Sequence, residues 1–138
     1  ALTGPLLVDR CVFQGDLDGD GDVDLVVSGN ENAARILRND APREGDWITV
    51  DPRLDGASAT GLGVQVRVTA PDFQLTRTTR ASDGYQSSRD PRAHFGVPGA
   101  KGGVEVELRW PDGLRERFAG LATGSVHQLL RGSGEALR

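Results

Sequence analysis

Five aspartates alternate with glycines and aliphatic residues in the stretch DLDGDGDVDL, which covers residues 16–25. Two carboxylates 4 Å apart repel each other by about 1 kcal/mol in bulk water, and by more in less polar surroundings. A sequence that places five of them in nine positions therefore needs something to offset the repulsion, and a bound cation does so. The five residues are Asp16, Asp18, Asp20, Asp22 and Asp24.

The spacing within this loop is typical of calcium ligands. With Asp16 as position 1, aspartates occupy positions 1, 3, 5, 7 and 9. Gly21 stands at position 6, where a calcium loop turns sharply. An EF-hand is excluded, because position 12 is Val27 rather than glutamate and VDLVVS favours a strand over a helix. The pattern predicts a nine-residue calcium loop with side-chain ligands from Asp16, Asp18, Asp20 and Asp24 and a carbonyl ligand from Asp22.

Two alternatives to a calcium loop are a metal-free acidic turn and a magnesium site. Magnesium prefers a few protein ligands and several retained waters, so this donor set suits it less well. Catalysis at the ion is not expected, because four carboxylates and a carbonyl leave little open coordination and no neighbouring histidine or glutamate offers a general base. We expect the ion to be structural, so that it cancels the repulsion and holds the loop in one conformation.

The acidity of the chain is confined to this loop. The 138 residues carry a formal net charge of -4, and without the five loop aspartates the net charge is +1. The arginines are scattered singly, so no basic stripe is formed and no nucleic-acid partner is expected. Cys11 is the only cysteine, which excludes an intrachain disulfide and a cysteine-based zinc site. No run of 18 apolar residues occurs, so we expect no membrane insertion.

Apolar and polar residues alternate with a period of two in much of the chain, which is typical of half-buried strands. GVQVRVTA directs Val64, Val66 and Val68 to one face, and GVEVELRW repeats this pattern up to Trp110. Trp47 and Trp110 are expected in the core, the alternative being exposed rings that stack on sugars. No capped amphipathic stretch predicts a helix. The expected fold is all-β, an antiparallel β-sandwich or barrel. The expected strands are 23–28, 34–38, 46–50, 63–70, 73–80, a hairpin over 103–118, and 125–130.

A polar segment, NDAPREGD at 39–46, separates an N-terminal hairpin-sized unit from a longer β module. We therefore predict two domains, 1–45 with the calcium loop and 46–138 with the sandwich or barrel. The N-terminal hairpin is expected to pack on the longer module.

The stretch SDGYQSSRDPRAHFG, residues 82–96, is the most conspicuous segment between the predicted strands. Its polar side chains are candidates for a pocket that binds a glycan or peptide, and the alternative is that they hydrogen-bond the backbone of the loop itself. Ser87, Asp90 and His94 are the residue types of a hydrolytic triad, but no nucleophile-elbow motif accompanies them. The candidate ligand residues are Tyr85, Ser87, Arg89, Asp90, Arg92 and His94.

Two groups of motifs resemble known families. GDLDGDGDVDLVVSGNENAARILRN resembles one FG-GAP/VCBS repeat, the calcium loop and hairpin that form a blade of integrin-type β-propellers. GVQVRVTA, SDGYQSSRDPRAHFGVPG and VEVELRWPDGLRERF resemble, in that order, the ASPIC/UnbV module at the C-terminus of the cartilage-acidic-protein-like family. The chain departs from these patterns in having a single blade and in FGVPG, where the family more often has Leu and Gly after FG.

The resemblance implies a secreted, periplasmic or cell-surface protein in which a calcium-bearing propeller precedes a compact β module. It assigns the calcium to the same five aspartates, and it implies binding or adhesion toward an unknown protein or glycan rather than catalysis. One blade cannot bury both of its faces, so we expect a C-terminal part of a larger propeller protein with further repeats upstream. The alternatives are a polysaccharide-active or enzyme-associated domain that uses the 82–96 loop, and a purely structural cap of the parent propeller.

Overall fold

The computed structural model describes residues 8–30, 33–42, 45–54, 60–82, 84, 87–99 and 103–137. No helix occurs among these residues, and hence none that could cross a membrane. The strands are β1 (Asp9–Gly15), β2 (Asp24–Gly29), β3 (Arg35–Leu37), β4 (Asp46–Arg53), β5 (Gln65–Ala70), β6 (Phe73–Thr78), β7 (Ala93–Val97), β8 (Val104–Arg109), β9 (Arg115–Leu121), β10 (Ser125–Leu130) and β11 (Glu135–Leu137).

The all-β fold predicted from the sequence is confirmed. Every strand expected from the alternation is present, with ends that differ by no more than three residues. The alternation does not predict β1, β7 or β11. Three consecutive apolar residues interrupt the period in β1, β7 directly follows a stretch rich in serine and aspartate, and β11 has only three residues.

The chain forms two compact units. The first comprises Ala1–Ala41 and Ala81–Asp90, and the second comprises Pro42–Arg80 and Pro91–Arg138. Nothing in the sequence pattern indicates that Ala81–Asp90 groups with the first unit. The predicted domains 1–45 and 46–138 stay a prediction.

The first unit contains a three-stranded antiparallel sheet in the order β1-β2-β3. Phe13 lies opposite Val26, and Val26 lies opposite Ile36, so these three residues share one face of the sheet. Val12 lies opposite Val27 and therefore belongs to the other face. The sheet thus carries apolar side chains on both of its faces.

The second unit is a β-sandwich of two sheets. One sheet has the order β10-β4-β7, and the other has the order β11-β9-β8-β5-β6. Both contribute to one hydrophobic core, as expected when two sheets face each other. The sandwich predicted from the sequence is confirmed, and the described strands do not close into a barrel. The buried core residues are Ile48, Val50, Val64, Val66, Val68, Ala93, Phe95, Val97, Val104, Val106, Leu108, Trp110 and Leu129.

One strand pairing differs from the antiparallel arrangement that the sequence predicts. β10 runs parallel to β4, with Ser125 opposite Ile48 and Leu130 opposite Arg53. Parallel neighbours require a long connection, and here the chain passes through the five-stranded sheet between β4 and β10. The alternation within a strand identifies its buried face but does not identify its partner.

The β8–β9 connection is the hairpin expected from the PDG motif. Trp110 N donates to Leu114 O at 2.8 Å, and Gly113 N donates to Trp110 O at 2.9 Å. Gly113 has a φ of 93°, which an L side chain rarely adopts, so the turn requires glycine at this position.

Charges of alternating sign form a row across the outer face of the five-stranded sheet. Arg67, Glu107, Arg117 and Glu135 lie opposite one another in successive strands. Arg67 Nη1 is 3.3 Å from Glu107 Oε2, and Arg117 Nη2 is 2.6 Å from Glu135 Oε2. Such cross-strand pairs contribute about 0.2–1 kcal/mol each. Their main consequence is that this face stays polar and hydrated.

Glu116 in β9 is a buried carboxylate whose two oxygens both accept hydrogen bonds. Trp110 Nε1 donates to Oε2 at 2.6 Å, while Gly132 N and Gly134 N donate to Oε1 at 2.9 and 3.0 Å. The carboxylate therefore joins the indole at the end of β8 to the turn between β10 and β11. A buried charge is tolerated here because each oxygen has a donor.

We predict that Glu116→Gln lowers the free energy of unfolding by about 1–3 kcal/mol, because the amide group turns a donor toward either the indole N–H or the two glycine N–H groups. Urea unfolding followed by tryptophan fluorescence measures the loss. The matched control is Glu135→Gln, which removes an exposed partner of Arg117 and costs less than about 1 kcal/mol. Equal losses in the two variants would contradict the role assigned to Glu116.

Candidate functional site

The aspartate loop connects two antiparallel strands. β1 ends at Gly15, the loop follows, and β2 begins at Asp24, which lies opposite Gly15 in the ladder. Asp16 and Asp24 therefore lie at the base of the same hairpin connection. The pairing of the two strands, rather than the loop sequence alone, brings the first and last aspartates together.

Three of the five aspartates converge. Asp16, Asp18 and Asp24 each offer a carboxylate oxygen, and these oxygens lie within 4.8 Å of one another. Asp24 is buried, with 2% of its surface exposed, whereas Asp16 is half-buried and Asp18 is exposed. The group thus extends from the base of the hairpin to the solvent.

Backbone N–H groups of the loop hold the Asp16 carboxylate in place. Gly19 N donates to Asp16 Oδ1 at 2.8 Å, and Gly21 N donates to Asp16 Oδ2 at 3.0 Å. Gly19 and Gly21 have φ values of 79° and 92°, so both turns rely on glycine. Gly21, the residue expected to make the sharp turn, has the backbone conformation that such a turn requires.

Asp20 and Asp22 have different positions in the loop. Asp20 Oδ1 accepts a hydrogen bond from Asp22 N at 2.8 Å, and Asp18 Oδ1 accepts one from Asp20 N at 3.4 Å. Neither residue belongs to the convergent group formed within the described part of the chain. Both make further interactions. Their ligand roles, a side chain for Asp20 and a carbonyl for Asp22, stay predictions.

Asp24 is held by two backbone N–H groups, one from the loop and one from the segment that follows β3. Asn39 N donates to Oδ1 at 2.8 Å, and Leu17 N donates to Oδ2 at 2.9 Å. These hydrogen bonds, with Asn39 contributing most, lower the pKa of Asp24, and the charge of Arg38 lowers it further, whereas burial opposes the shift. Asp24 therefore stays ionised, as a metal ligand must.

Arg38 is a cation that lies beside this loop. Its Nη2 lies 2.7 Å from Asp40 Oδ1, and its Nη1 lies 3.8 Å from Asp18 Oδ2. The Asp40 hydrogen bond raises the pKa of Arg38, and the charges of Asp40, Asp18 and Asp20 raise it further. Among the described residues, the Arg38 guanidinium offsets part of the negative charge of the loop.

The donor set fits a hard divalent cation. Carboxylate oxygens are the ligands that calcium prefers, and each oxygen that accepts one N–H hydrogen bond keeps a second lone pair. Asp16, Asp18 and Asp24 are the residues that would hold such an ion, which would supply charge neutralisation to the loop.

We predict that Asp24 has an acidic pKa below the unfolded value of about 3.9. Because folding lowers this pKa, the carboxylate stabilises the first unit fully above the unfolded value, and that contribution is lost as the pH falls through the folded value. The loss of stability caused by Asp24→Asn should therefore shrink as the pH is lowered from 6 to 2. Carboxyl NMR titration in chelator measures the pKa, and hydrogen exchange of the Leu17 and Asn39 amides follows the stability of the unit.

The matched control is Asp72→Asn, which removes an exposed carboxylate at the β5–β6 turn and should leave the stability of the first unit unchanged. A measured Asp24 pKa above the unfolded value, or a cost of Asp24→Asn that stays constant over this pH range, would contradict the prediction.

The residues predicted from the 82–96 loop are divided between the two units. Ser87, Arg89 and Asp90 belong to the first unit, whereas Arg92 and His94 belong to the second. Tyr85 lies outside the described residues. The description of 82–96 as one loop is wrong at its end, because β7 starts at Ala93 and His94 is a strand residue.

His94 has structural partners within the sandwich. Its Nδ1 is 2.9 Å from Thr49 Oγ1, and its ring stacks on Trp47 with the ring centroids 5.8 Å apart. Trp47 and Trp110 are both buried, as the sequence predicts, with 8% and 2% of their surfaces exposed. These two tryptophans therefore leave no open ring face for stacking on a sugar.

A second candidate site lies in the first unit, where Ala81–Asp90 borders the sheet. Arg89 N donates to Ala81 O at 2.9 Å, and Ser82 Oγ donates to Ser87 O at 3.0 Å, so the segment is folded back on itself. A pocket of about 180 Å³ lies here. Among the residues that line it are Val12, Gln14, Leu25, Ser87, Ser88 and Arg89. Ser87 and Arg89 were predicted from the sequence, but no sequence signal indicates the wall formed by β1 and β2.

The fold and the site together define a class of protein, a β-sandwich module accompanied by a hairpin with a convergent aspartate loop. The ASPIC and UnbV family model matches residues 55–136, more than half of the chain, and the chain belongs to the ASPIC and UnbV family. The ASPIC/UnbV resemblance seen in the sequence is thereby confirmed.

Curated relatives carry the name cartilage acidic protein 1. The chain is 34% identical over 119 residues to the Homo sapiens protein, 36% over 102 residues to the Mus musculus protein, and 36% over 119 residues to the Xenopus tropicalis protein. These alignments cover 83%, 71% and 83% of this chain but 18%, 16% and 18% of the relatives. The chain therefore spans less than a fifth of the length of the relatives that it matches.

Proposed function

We propose that this chain is a calcium-binding extracellular β module with a binding or adhesion role, and that it is the C-terminal part of a larger propeller protein. The observation that carries the proposal is the convergence of the Asp16, Asp18 and Asp24 carboxylates within 4.8 Å. Their mutual repulsion is large in the absence of an ion, and the backbone N–H groups and Arg38 offset only part of it.

The choice of calcium rests on the ligand chemistry and on the loop. Calcium accepts a large, flexible shell of oxygen ligands, whereas magnesium requires a near-ideal octahedron and keeps several waters. The exposed position of Asp18 and the glycines at 19 and 21 allow such a shell to adjust. Extracellular calcium modules bind with Kd values of about 10⁻⁴–10⁻³ M, so a site of this kind is filled outside cells.

The extracellular location is supported by the relatives, whose name refers to cartilage. The proposed location is secreted, periplasmic or at the cell surface. The name of the relatives also describes an acidic protein, and in this chain the acidity is concentrated in the five loop aspartates.

Attachment to further FG-GAP/VCBS repeats is supported by the exposure of the first sheet. Ile36 has 68% of its surface exposed, on the face of the sheet that also carries Phe13 and Val26. A propeller blade packs an apolar face of its sheet against the neighbouring blade, which a single blade cannot do. The larger size of the relatives leaves room for such repeats.

We predict that calcium stabilises the chain and that magnesium does so much less. For a Kd of about 1 mM, 10 mM calcium adds about 1.4 kcal/mol to the stability of the unit that holds the site. Thermal melting in calcium, magnesium and chelator, together with calorimetric titration, measures this gain. Asp18→Asn should abolish most of it, because Asp18 is an exposed member of the convergent group and its substitution leaves the hairpin intact.

Asp40→Asn is the matched control for calcium binding, since it removes the same charge next to Arg38 but not from the convergent group. It should retain the calcium-dependent gain. The metal proposal would be contradicted if the wild type melted identically in all three buffers. It would also be contradicted if Asp18→Asn and Asp40→Asn lost the calcium-dependent gain in stability to the same extent.

The proposed role is binding rather than catalysis. The two alternatives are a polysaccharide-active or enzyme-associated domain and a purely structural cap of the propeller. The Thr49 and Trp47 contacts of His94 favour a structural role for this histidine.

We predict no turnover of a panel of chromogenic esters and glycosides. Turnover that His94→Ala abolishes would favour the enzyme, whereas loss of solubility without loss of binding on deletion of 46–138 from the full-length protein would favour the cap.

A further inference from the structure

The pocket in the first unit has an apolar side and a polar side. Val12 and Leu25 come from neighbouring strands and lie on the same face of the sheet, because Val12 pairs with Val27 and Leu25 pairs with Gln14. Their exposed fractions are 60% and 38%, so the sheet presents aliphatic surface at this position. Ser87, Ser88 and Arg89 line the pocket from the segment that borders the sheet, and their side chains carry hydroxyl and guanidinium groups.

The volume of the pocket limits the size of its ligand. A volume of about 180 Å³ corresponds to about six water-sized units of roughly 30 Å³ each. This space suits a group of about six heavy atoms, such as one branched side chain with a terminal charged group. It is too small for an oligosaccharide, although one end of a longer molecule could enter it.

We propose that this pocket binds a carboxylate attached to a short branched aliphatic group. The aliphatic part would contact Val12 and Leu25, while the carboxylate would accept hydrogen bonds from Arg89 and the serine hydroxyls. Arg89 already has a further interaction. A guanidinium carries five N–H donors, so it can bind a carboxylate in addition to that interaction. The pocket residues include none of the loop aspartates, so binding here does not depend on the metal proposal.

Two sources present this chemistry, a free branched-chain acid and the C-terminal carboxylate of a peptide that ends in valine. Isobutyrate, with six heavy atoms, is the probe for the first. Acetyl-Gly-Val with a free C-terminus is the probe for the second. Isobutyramide and the amidated peptide have the same shape without the charge, so they report the contribution of the carboxylate.

The test is a titration of the isotope-labelled full chain followed by amide NMR shifts, in calcium and in chelator. We expect saturable shifts at Val12, Gln14, Leu25 and residues 87–89, with a millimolar Kd, which is in the range open to so small a ligand. The amides should bind at least tenfold more weakly, since a charge-assisted hydrogen bond is lost. Binding of the peptide alone, or of both probes, would identify the source.

Two pairs of variants separate binding from folding. Val12→Asp should abolish binding by placing a carboxylate against the ligand, whereas Ile36→Asp, equally exposed on the opposite face, should leave it unchanged. Arg89→Gln should weaken binding at least tenfold, whereas Arg10→Gln, at an exposed position of β1, should not. Unchanged melting and dispersed spectra verify the fold of each variant.

Three outcomes would overturn the pocket proposal. The first is the absence of localised shifts with either carboxylate at 20-fold the expected Kd. The second is equal binding of the carboxylates and their amides. The third is binding that survives Val12→Asp in a folded variant. Loss of calcium binding in the same samples would affect the metal proposal alone.

Discussion

The second unit depends on apolar packing between its two sheets. Ile48, Val50 and Phe95 in one sheet are fully buried against a core that includes Val66 and Val68 in the other. Each such side chain contributes about 1.5–3 kcal/mol relative to an exposed position. Because a strand alternates, every residue turned into the core turns its neighbours outward. The same packing therefore determines where the charge ladder of the five-stranded sheet lies. It also places His94 and Thr49 together on the face of β7 and β4 that is opposite the core.

Electrostatic repulsion is the corresponding constraint in the first unit. The loop keeps its carboxylates close because backbone N–H groups point at them, two toward Asp16 and two toward Asp24. The two N–H groups that point at Asp16 belong to Gly19 and Gly21, whose positive φ values allow this arrangement. The loop is thus organised around its negative charge. This organisation links the sequence pattern to the proposed calcium role, because the carboxylates that the N–H groups hold are among those that would face the ion.

The aspartate spacing was sufficient to identify the candidate metal loop, because ligand order along a short loop is a local property. Asp24 illustrates the limit of that inference. Its depressed pKa comes first from the Asn39 amide, which lies 15 residues away in sequence. The 82–96 segment shows the same limit, because residues that are neighbours in sequence do not form one site there. The sequence predicts one site from six polar residues of this segment. His94 instead lies in β7 of the sandwich. Ser87 and Arg89 belong to the first unit, where they line a pocket whose other wall comes from β1 and β2.

The sequence by itself determined the all-β class, the buried faces of β5 and β8, the PDG hairpin and the crowding of carboxylates in one loop. All of these follow from local alternation, turn chemistry and charge spacing. Only the tertiary structure decided that β10 pairs with β4 in parallel, that the buried Glu116 accepts a hydrogen bond from Trp110, and that Ala81–Asp90 belongs with the first unit. The reason is physical: a strand's own residues specify which side must be buried, but its partner is selected by the packing of segments that are distant in the chain.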